Sequence, residues 1–205
     1  MRSCDNIRNL PLVLACLLLI GCGGMPTQQV PAPAAPAAPR EARSQYEHAL
    51  DLMRQKRYDE AASILQTMTQ TYPDLSGPYL NLGIAYLRMD RPTDAEEAVR
   101  QALVVNPDNA EGYNLLGLVQ RESGHFTEAR ESYEQALKLD PQFADVHLNL
   151  AILLDLYLGQ AQAALEHYER YQETAGMEDK QVKLWITDLR QRLPAAAPAD
   201  EEGGS

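Results

Sequence analysis

Hydrophobic and small residues recur at a fixed interval along the middle of the chain. Between Ser76 and Pro141 one pattern occurs twice, and each landmark of the second copy lies 34 residues after its counterpart. Apolar residues within each copy are three or four positions apart, which is typical of amphipathic helices. The pattern predicts two helices per copy. Its landmarks are Tyr79, Leu82, Gly83, Tyr86, Ala95, Val99, Ala102 and Pro107, then Tyr113, Leu116, Gly117, Gln120, Ala129, Tyr133, Ala136 and Pro141.

Weaker copies of the pattern lie on both sides. One precedes the doubled stretch and one follows it from near Ala144. In the last copy the two central alanines are thirteen residues apart instead of twelve, which places one inserted residue in the turn near Leu158 and Gly159. The matching positions are Ala49, Leu52, Ala61, Leu65, Met68 and Pro73 in the first copy, and Leu150, Ala151, Leu154, Ala164 and Tyr168 in the last.

A single amphipathic helix is predicted after the last copy, from Glu178 to Leu193. Its apolar positions lie on one face, as in a helix that covers the end of a stack. We expect Trp185 to pack in that seam rather than to anchor a ligand. Residues 194–205 are predicted to be a disordered tail, because they contain mainly alanine, proline, glycine and acidic residues.

The period and the spaced residue types resemble the tetratricopeptide repeat (TPR). The resemblance implies an all-α fold, a right-handed solenoid of about four helix–turn–helix repeats with a C-terminal capping helix. The predicted domain covers residues 41–193, with repeats at about 42–75, 76–109, 110–143 and 144–177 and the cap at 178–193. Small residues such as Gly83 and Gly117 would let the two helices of a repeat approach to about 8 Å.

The N-terminus has the pattern of a signal peptide, predicted to cover residues 1–21. Arg2 and Arg8 precede an apolar run from Leu10 to Ile20. This run is too short for the roughly 20-residue span of a bilayer and has the length of a signal-peptide core. Residues 19–22 read Leu-Ile-Gly-Cys and resemble the lipobox of bacterial lipoproteins. The resemblance implies lipidation of Cys22 by acyl chains such as palmitate. The rival interpretations are cleavage at Ala32 and Ala34, or a cytosolic protein with an apolar start.

Residues 22–40 are predicted to be a linker that holds the helical domain away from the membrane. Its prolines disfavour a helix, and the Pro/Ala-rich stretch from Met25 to Pro39, extended at about 3.1 Å per residue, would reach roughly 45 Å. An unselective tether is the alternative to a spacer of defined reach. Gly23, rather than aspartate, follows Cys22, which by resemblance to enterobacterial sorting favours the outer membrane, facing the periplasm.

Charge and composition argue against several classes of function. The net charge is −11, with 18 basic and 29 acidic residues, so no nucleic-acid partner is expected. All three cysteines lie in the first 22 residues, and no metal site, cofactor or small-molecule substrate is predicted. No catalytic motif is recognisable, so the protein is not expected to be an enzyme. The histidines are interpreted as core or boundary residues; they are His48, His125, His147 and His167.

The TPR resemblance implies a partner-binding groove lined by the first helix of each repeat. Asparagine amides there can donate to and accept from a peptide backbone. An aliphatic stripe would suit an extended segment or an amphipathic helix; the alternative is that part of the stripe packs between repeats. The stripe consists of Leu80, Ile84, Leu118, Leu148 and Ile152. The basic clamp of carboxylate-binding relatives is missing, with two arginines as partial substitutes. The predicted groove residues are Asn81, Ile84, Arg88, Asn114, Leu118, Arg121, Asn149 and Ile152.

These features predict a non-catalytic lipoprotein scaffold that binds a protein or peptide partner and assists assembly of an envelope complex. In plan the chain resembles pilotins of type IV pili and related secretion systems. The alternatives are an adaptor for cell-wall hydrolases, a self-associating structural protein, and an accessory of an energised transport complex.

Overall fold

A computed structural model describes residues 39–193 of the protein. The predicted signal peptide, Cys22, most of the linker and the tail lie outside the described residues. Within the described part all regular structure is helical, and the chain forms nine helices. Their bounds are α1 Arg40–Arg54, α2 Tyr58–Thr71, α3 Ser76–Arg88, α4 Pro92–Val105, α5 Ala110–Glu122, α6 Phe126–Leu139, α7 Ala144–Leu156, α8 Ala161–Thr174 and α9 Lys180–Arg192.

The helices stack in sequence order, and each one contacts the next. Odd-numbered helices also contact the next odd-numbered helix from α1 to α7, whereas the even-numbered helices in this part of the chain do not contact one another. The odd helices therefore lie closer together and form the inner face of the stack, and the even helices form the outer face. The predicted all-α solenoid of four helix pairs with a final capping helix is confirmed.

Glycines allow the two helices of each central pair to pack closely. A Cβ on Gly83 would lie 2.5 Å from Val99 Cγ2 and 3.2 Å from the carbonyl oxygen of Ala95. A Cβ on Gly117 would lie 2.6 Å from the Tyr133 ring. Such contacts are too short for any larger side chain, so the glycines set the separation of the helices.

The turn inside each pair repeats with the same period and then shifts once. Lys56, Asp90 and Gly124 occupy the left-handed region with φ of 61°, 57° and 81°, each 34 residues after the one before. The fourth such residue is Gly159, with φ of 64°, one residue later than the period requires. The inserted residue predicted in this turn is therefore visible as a displaced turn geometry.

The capping helix is fixed to α8 by a network around Asp179. The Asp179 side chain accepts hydrogen bonds from the backbone of Gln181 and Val182, which satisfies free amides at the start of α9. Gln172 of α8 donates to the Asp179 carbonyl at 2.6 Å and accepts from its amide at 3.1 Å. Trp185 packs with its ring centroid 5.4 Å from that of Tyr168, so it fills the seam as predicted.

Two predicted details differ from the structure. Helix α1 begins at Arg40, the last residue of the predicted linker. The interpretation of the histidines as core or boundary residues is wrong for His48 and His125, which are exposed. His48 occupies a leucine position of the pattern, but it lies in the first helix of the described residues, which contacts only α2 and α3. His147 is buried and His167 is half-buried.

Candidate partner-binding groove

The predicted groove residues all lie on the inner helices α3, α5 and α7. Arg88 is exposed and the other seven are half-buried, so they lie between the core and solvent. What they offer a partner depends on which of their polar atoms are already engaged within the fold. For the asparagines this is decided by their hydrogen bonds, and for the aliphatic residues by whether they pack against the core.

Asn81 is engaged inside the first seam. Its Nδ2 donates to Tyr46 Oη at 2.6 Å and to the carbonyl oxygen of Gly77 at 3.1 Å. Both amide hydrogens are therefore used, so among its side-chain groups only the Oδ1 acceptor of Asn81 is left for a partner. The residue predicted as a peptide-binding donor instead joins α3 to α1.

Asn114 and Asn149 form a pair across the last inner seam. Asn149 Nδ2 donates to Asn114 Oδ1 at 3.0 Å. Among the described residues, neither Asn114 Nδ2 nor Asn149 Oδ1 has a hydrogen-bond partner. The pair thus offers one amide group as a donor and one carbonyl oxygen as an acceptor, which is the complement of a peptide bond.

The two polar pairs occupy the same place in successive seams. Tyr46 with Asn81, and Asn114 with Asn149, are each 35 residues apart, one more than the repeat period. The corresponding residues of the middle seam are Leu80 and Leu115, which pack against the same core cluster. Tyr46 is not among the predicted groove residues, although the spacing of 35 that relates Asn114 to Asn149 also relates it to Asn81.

The aliphatic stripe divides into buried and available residues. Leu80, Leu148 and Ile152 pack against the core clusters, as the alternative interpretation of the stripe expected for part of it. Ile84 and Leu118 are half-buried and pack against none of the core clusters in the described region. These two residues are therefore the apolar part of the groove that a partner would cover.

Arg121 influences the pKa of a buried tyrosine, Tyr133. Tyr133 is fully buried, and its Oη has no hydrogen-bond partner in the described structure. Burial raises the pKa of Tyr133 far above its usual range, while the Arg121 guanidinium opposes the rise. The hydroxyl therefore stays neutral, and its burial without a partner costs stability.

Two histidines are hydrogen-bonded between α7 and α8. His147 Nε2 lies 3.1 Å from the carbonyl oxygen of Pro141, which can only accept, so this nitrogen carries the hydrogen. In the neutral ring, His147 Nδ1 then accepts from His167 Nδ1, 3.0 Å away. Burial, and next the neighbouring His147, lower the pKa of His167. The pair therefore favours the neutral form of His167.

No group of three or more potential metal ligands occurs in the described part of the chain. Among the same residues, none of the helices is both long and apolar enough to cross a membrane. The chemistry that the inner face offers is hydrogen bonding by the asparagine pair, apolar contact with Ile84 and Leu118, and the charges of Arg88 and Arg121.

Two family models match the chain. One describes a tetratricopeptide repeat and covers residues 52–119, and the other describes a TPR repeat and covers residues 119–156. Together they extend from the last turn of α1 to the end of α7. A search of curated proteins gave no significant match.

Solved structures share the fold. The pilF protein of Pseudomonas aeruginosa is 23% identical, with a TM-score of 0.66 over 74% of this chain and 68% of that one. A thermophilic TPR protein of Thermus thermophilus is 23% identical, with a TM-score of 0.64 over 75% and 83%. The first TPR domain of Spaghetti (RPAP3), bound to an HSP90 peptide, is 23% identical, with a TM-score of 0.54 over 56% and 90%. At these identities the likeness is one of fold.

Proposed function

Because residues 52–156 of this chain are tetratricopeptide repeats, we propose that the protein is a non-catalytic scaffold that holds a segment of a partner protein in its inner groove. A TPR fold suggests a scaffold that binds proteins or peptides. The more specific claim concerns the site, which we assign to the inner helices of the second to fourth repeats.

The Asn114–Asn149 pair is the observation that carries this assignment. Buried polar groups are hydrogen-bonded within the protein or to water, and a half-buried amide that faces the groove can exchange water for a partner. Here one donor group and one acceptor remain without partners in the described structure, on the inner face that also carries the half-buried side chains of Ile84 and Leu118. An extended segment can bond to both amide groups through its backbone and place alternate apolar side chains on the two aliphatic residues.

Removal of the amide pair tests the assignment. The partner is first identified by cross-linking in cells, and its capture is then compared between the wild-type protein and the double variant Asn114→Ala, Asn149→Ala. We expect capture to fall at least tenfold, because about two hydrogen bonds to the partner are lost. The matched control exchanges two exposed residues of the outer helices, Glu97→Ala and Glu131→Ala. If the inner variant and the outer control capture the partner equally, the groove is not the binding site.

We propose further that the scaffold is lipid-anchored at Cys22 in the bacterial outer membrane and faces the periplasm. The lipobox-like sequence at residues 19–22 and the glycine after the cysteine support this proposal. Two or three acyl chains give stable anchoring, whereas one is only marginal. The resemblance in plan to pilotins of type IV pili supports a role in the assembly of an envelope complex.

Cys22→Ser separates anchoring from folding. The exchange removes the acceptor sulfur but leaves the helical domain unchanged. Mass spectrometry should show loss of the acyl chains, and the protein should leave the membrane fraction with an unchanged melting temperature. A variant that stays in the membrane fraction would contradict the lipid anchor.

A further inference from the structure

Charged residues on the inner face change sign along the stack. At the first turn of the inner helices, successive repeats place Arg43, Gly77, Glu111 and Asp145 in the same register. At the last turn, the corresponding residues are Arg54, Arg88, Glu122 and Leu156. Both registers are basic in the first half of the groove and acidic in the second.

The remaining inner charges do not cancel this difference. Glu47 reduces the positive charge of the first repeat, and Arg121 reduces the negative charge of the third. Asp155 adds negative charge to the fourth repeat, although it accepts a hydrogen bond from Arg192 of α9 at 3.4 Å. The net charge of the inner positions therefore stays positive over the first two repeats and negative over the last two.

Most of these inner charges lack partners within the fold. In the described structure, no ion pair involves Arg43, Arg88 or Arg121, nor the carboxylates of Glu111, Glu122 and Asp145. The arginines of the outer helices differ, because Arg100, Arg130 and Arg170 each pair with a carboxylate three or four residues away. The outer face thus neutralises its own arginines. On the inner face of the described structure, Arg54 pairs with Asp51 of the same helix and Asp155 with Arg192, and the other inner charges are free for a partner.

The first-turn register faces the groove, as two observations show. A Cβ on Gly77 would lie 2.9 Å from Tyr46 Oη, so this position points into the inner seam. The pKa of Tyr46 is raised chiefly by burial, and the carboxylate of Glu111 adds to the rise from two repeats away. Glu111 of α5 therefore acts electrostatically on α1 across the inner face.

We propose that the groove selects a partner segment with opposite charges at its two ends and an aliphatic centre. The segment's acidic side chains lie over α1 and α3, its aliphatic side chains cover Ile84 and Leu118, and its basic side chains lie over α5 and α7. Four inner helices spaced about 10 Å apart span roughly 30 Å, or about nine extended residues. This assignment rests on the proposed groove function and adds the polarity of the ligand to it.

The charge gradient fixes the direction of the segment. In the opposite orientation, the segment's acidic end would lie against Glu111 and Glu122, and its basic end against Arg43 and Arg88. Like charges in an interface suppress binding, so the gradient acts mainly on specificity and orientation.

A displayed library of random twelve-residue peptides tests the polarity. The full chain, purified in detergent, is used to select peptides, and groove binders are recognised by loss of binding to Leu118→Asp. We expect the enriched groove binders to carry acidic residues at one end and basic residues at the other. A photo-cross-linker on the acidic end should attach to α1 or α3, and one on the basic end to α5 or α7.

Charge-reversed proteins provide the matched comparison. The inner variant is Arg43→Glu, Arg88→Glu, Glu111→Lys, Glu122→Lys, and the outer control is Glu97→Lys, Glu131→Lys. The inner variant should bind the selected peptides about tenfold more weakly, and the control should bind them as the wild type does. Groove binders without charge polarity, or with affinities unchanged by the inner variant, would overturn the proposal but leave the groove function intact. If no enriched peptide depends on Leu118, the groove function itself fails, and the polarity with it.

Discussion

Asn149 donates a hydrogen bond to Asn114 at 3.0 Å and so joins the inner helices of the third and fourth repeats. The first seam has the same arrangement, where Asn81 donates to Tyr46. Leucines occupy the equivalent positions of the middle seam. The seams therefore alternate between polar and apolar pairs, and the last one leaves amide groups without partners among the described residues. Similar residues thus differ in what they leave unused: Asn81 has both amide hydrogens engaged, whereas the Asn114–Asn149 pair keeps amide hydrogens and a carbonyl oxygen without partners among the described residues.

The Tyr46–Asn81 bond should contribute to stability and not to partner capture. Tyr46→Phe and Asn81→Ala should each lower the free energy of unfolding by about 1 kcal/mol, and the double variant should cost less than the sum, because both remove one bond. Urea unfolding measures the cycle. Asn81→Ala should capture the partner normally, unlike Asn149→Ala. The separate roles would be contradicted if the losses in the free energy of unfolding of Tyr46→Phe and Asn81→Ala added up in the double variant. They would also be contradicted if Asn81→Ala and Asn149→Ala lost capture equally.

Gly117→Ala should separate α5 from α6. The added methyl would lie 2.6 Å from the Tyr133 ring, which is buried and has no room to move away. Such overpacking costs about 1–3 kcal/mol, measurable as a lower denaturation midpoint. Tyr133→Ala removes the obstructing ring, so the double variant Gly117→Ala, Tyr133→Ala should be no less stable than Tyr133→Ala alone. A further loss of stability in the double variant would show that another contact excludes the methyl group.

Tyr133→Phe should stabilise the protein or leave its stability unchanged. The Tyr133 hydroxyl is buried without a partner in the described structure, and an unsatisfied buried group costs about 1–3 kcal/mol. We expect a gain in the free energy of unfolding of about 1 kcal/mol. Tyr79→Phe is the control, because Tyr79 Oη donates to the carbonyl oxygen of Thr69 at 3.1 Å and its loss should destabilise. A destabilised Tyr133→Phe variant would mean that the hydroxyl has a partner in solution.

The histidine pair should make stability fall in mild acid. Burial and His147 lower the pKa of His167, while Glu166 opposes the shift. The folded protein therefore binds this proton more weakly than the unfolded chain does, whose histidines titrate near pH 6.5. The contribution of the neutral His167 to the free energy of unfolding is present above about pH 6.5, and it is lost as the pH falls through the folded-state pKa of His167. Melting temperatures of the wild type and His167→Gln should run parallel above pH 7 and converge below pH 6. Curves that stay parallel throughout would contradict a lowered pKa.

The repeat period made most of the fold predictable. Helix pairs that repeat every 34 residues pack in the same way and therefore need small residues at equivalent positions. Gly83 and Gly117 thus predicted close packing from the sequence alone. The shifted turn at Gly159 was also visible, because one extra residue breaks the period. The start of α9 at Lys180 depends on contacts of Asp179 with α8. These contacts are not part of the repeat pattern, so the pattern could not predict them.

The candidate site was less predictable, because the sequence does not show which side-chain amide hydrogens already donate to other residues of the fold. Asn81 and Asn149 occupy equivalent positions and looked alike in sequence. Their hydrogen bonds differ, since Asn81 donates both amide hydrogens, to Tyr46 and to Gly77, whereas Asn149 donates one, to Asn114. The sequence also did not show which residues of the aliphatic stripe are buried. Ile84 and Ile152 occupy the same register, but only Ile152 packs against a core cluster in the described region.

Site-specific photo-cross-linking in cells tests the groove most directly. A photo-reactive residue replaces Ile84 or Leu118 on the inner face, and in the controls it replaces Glu97 or Glu131 on the outer helices. The groove function predicts one cross-linked partner protein at both inner positions and none at the outer ones, with loss of the product when Asn114→Ala and Asn149→Ala are added. The same product from the outer positions, or inner products that persist in the asparagine variant, would contradict it.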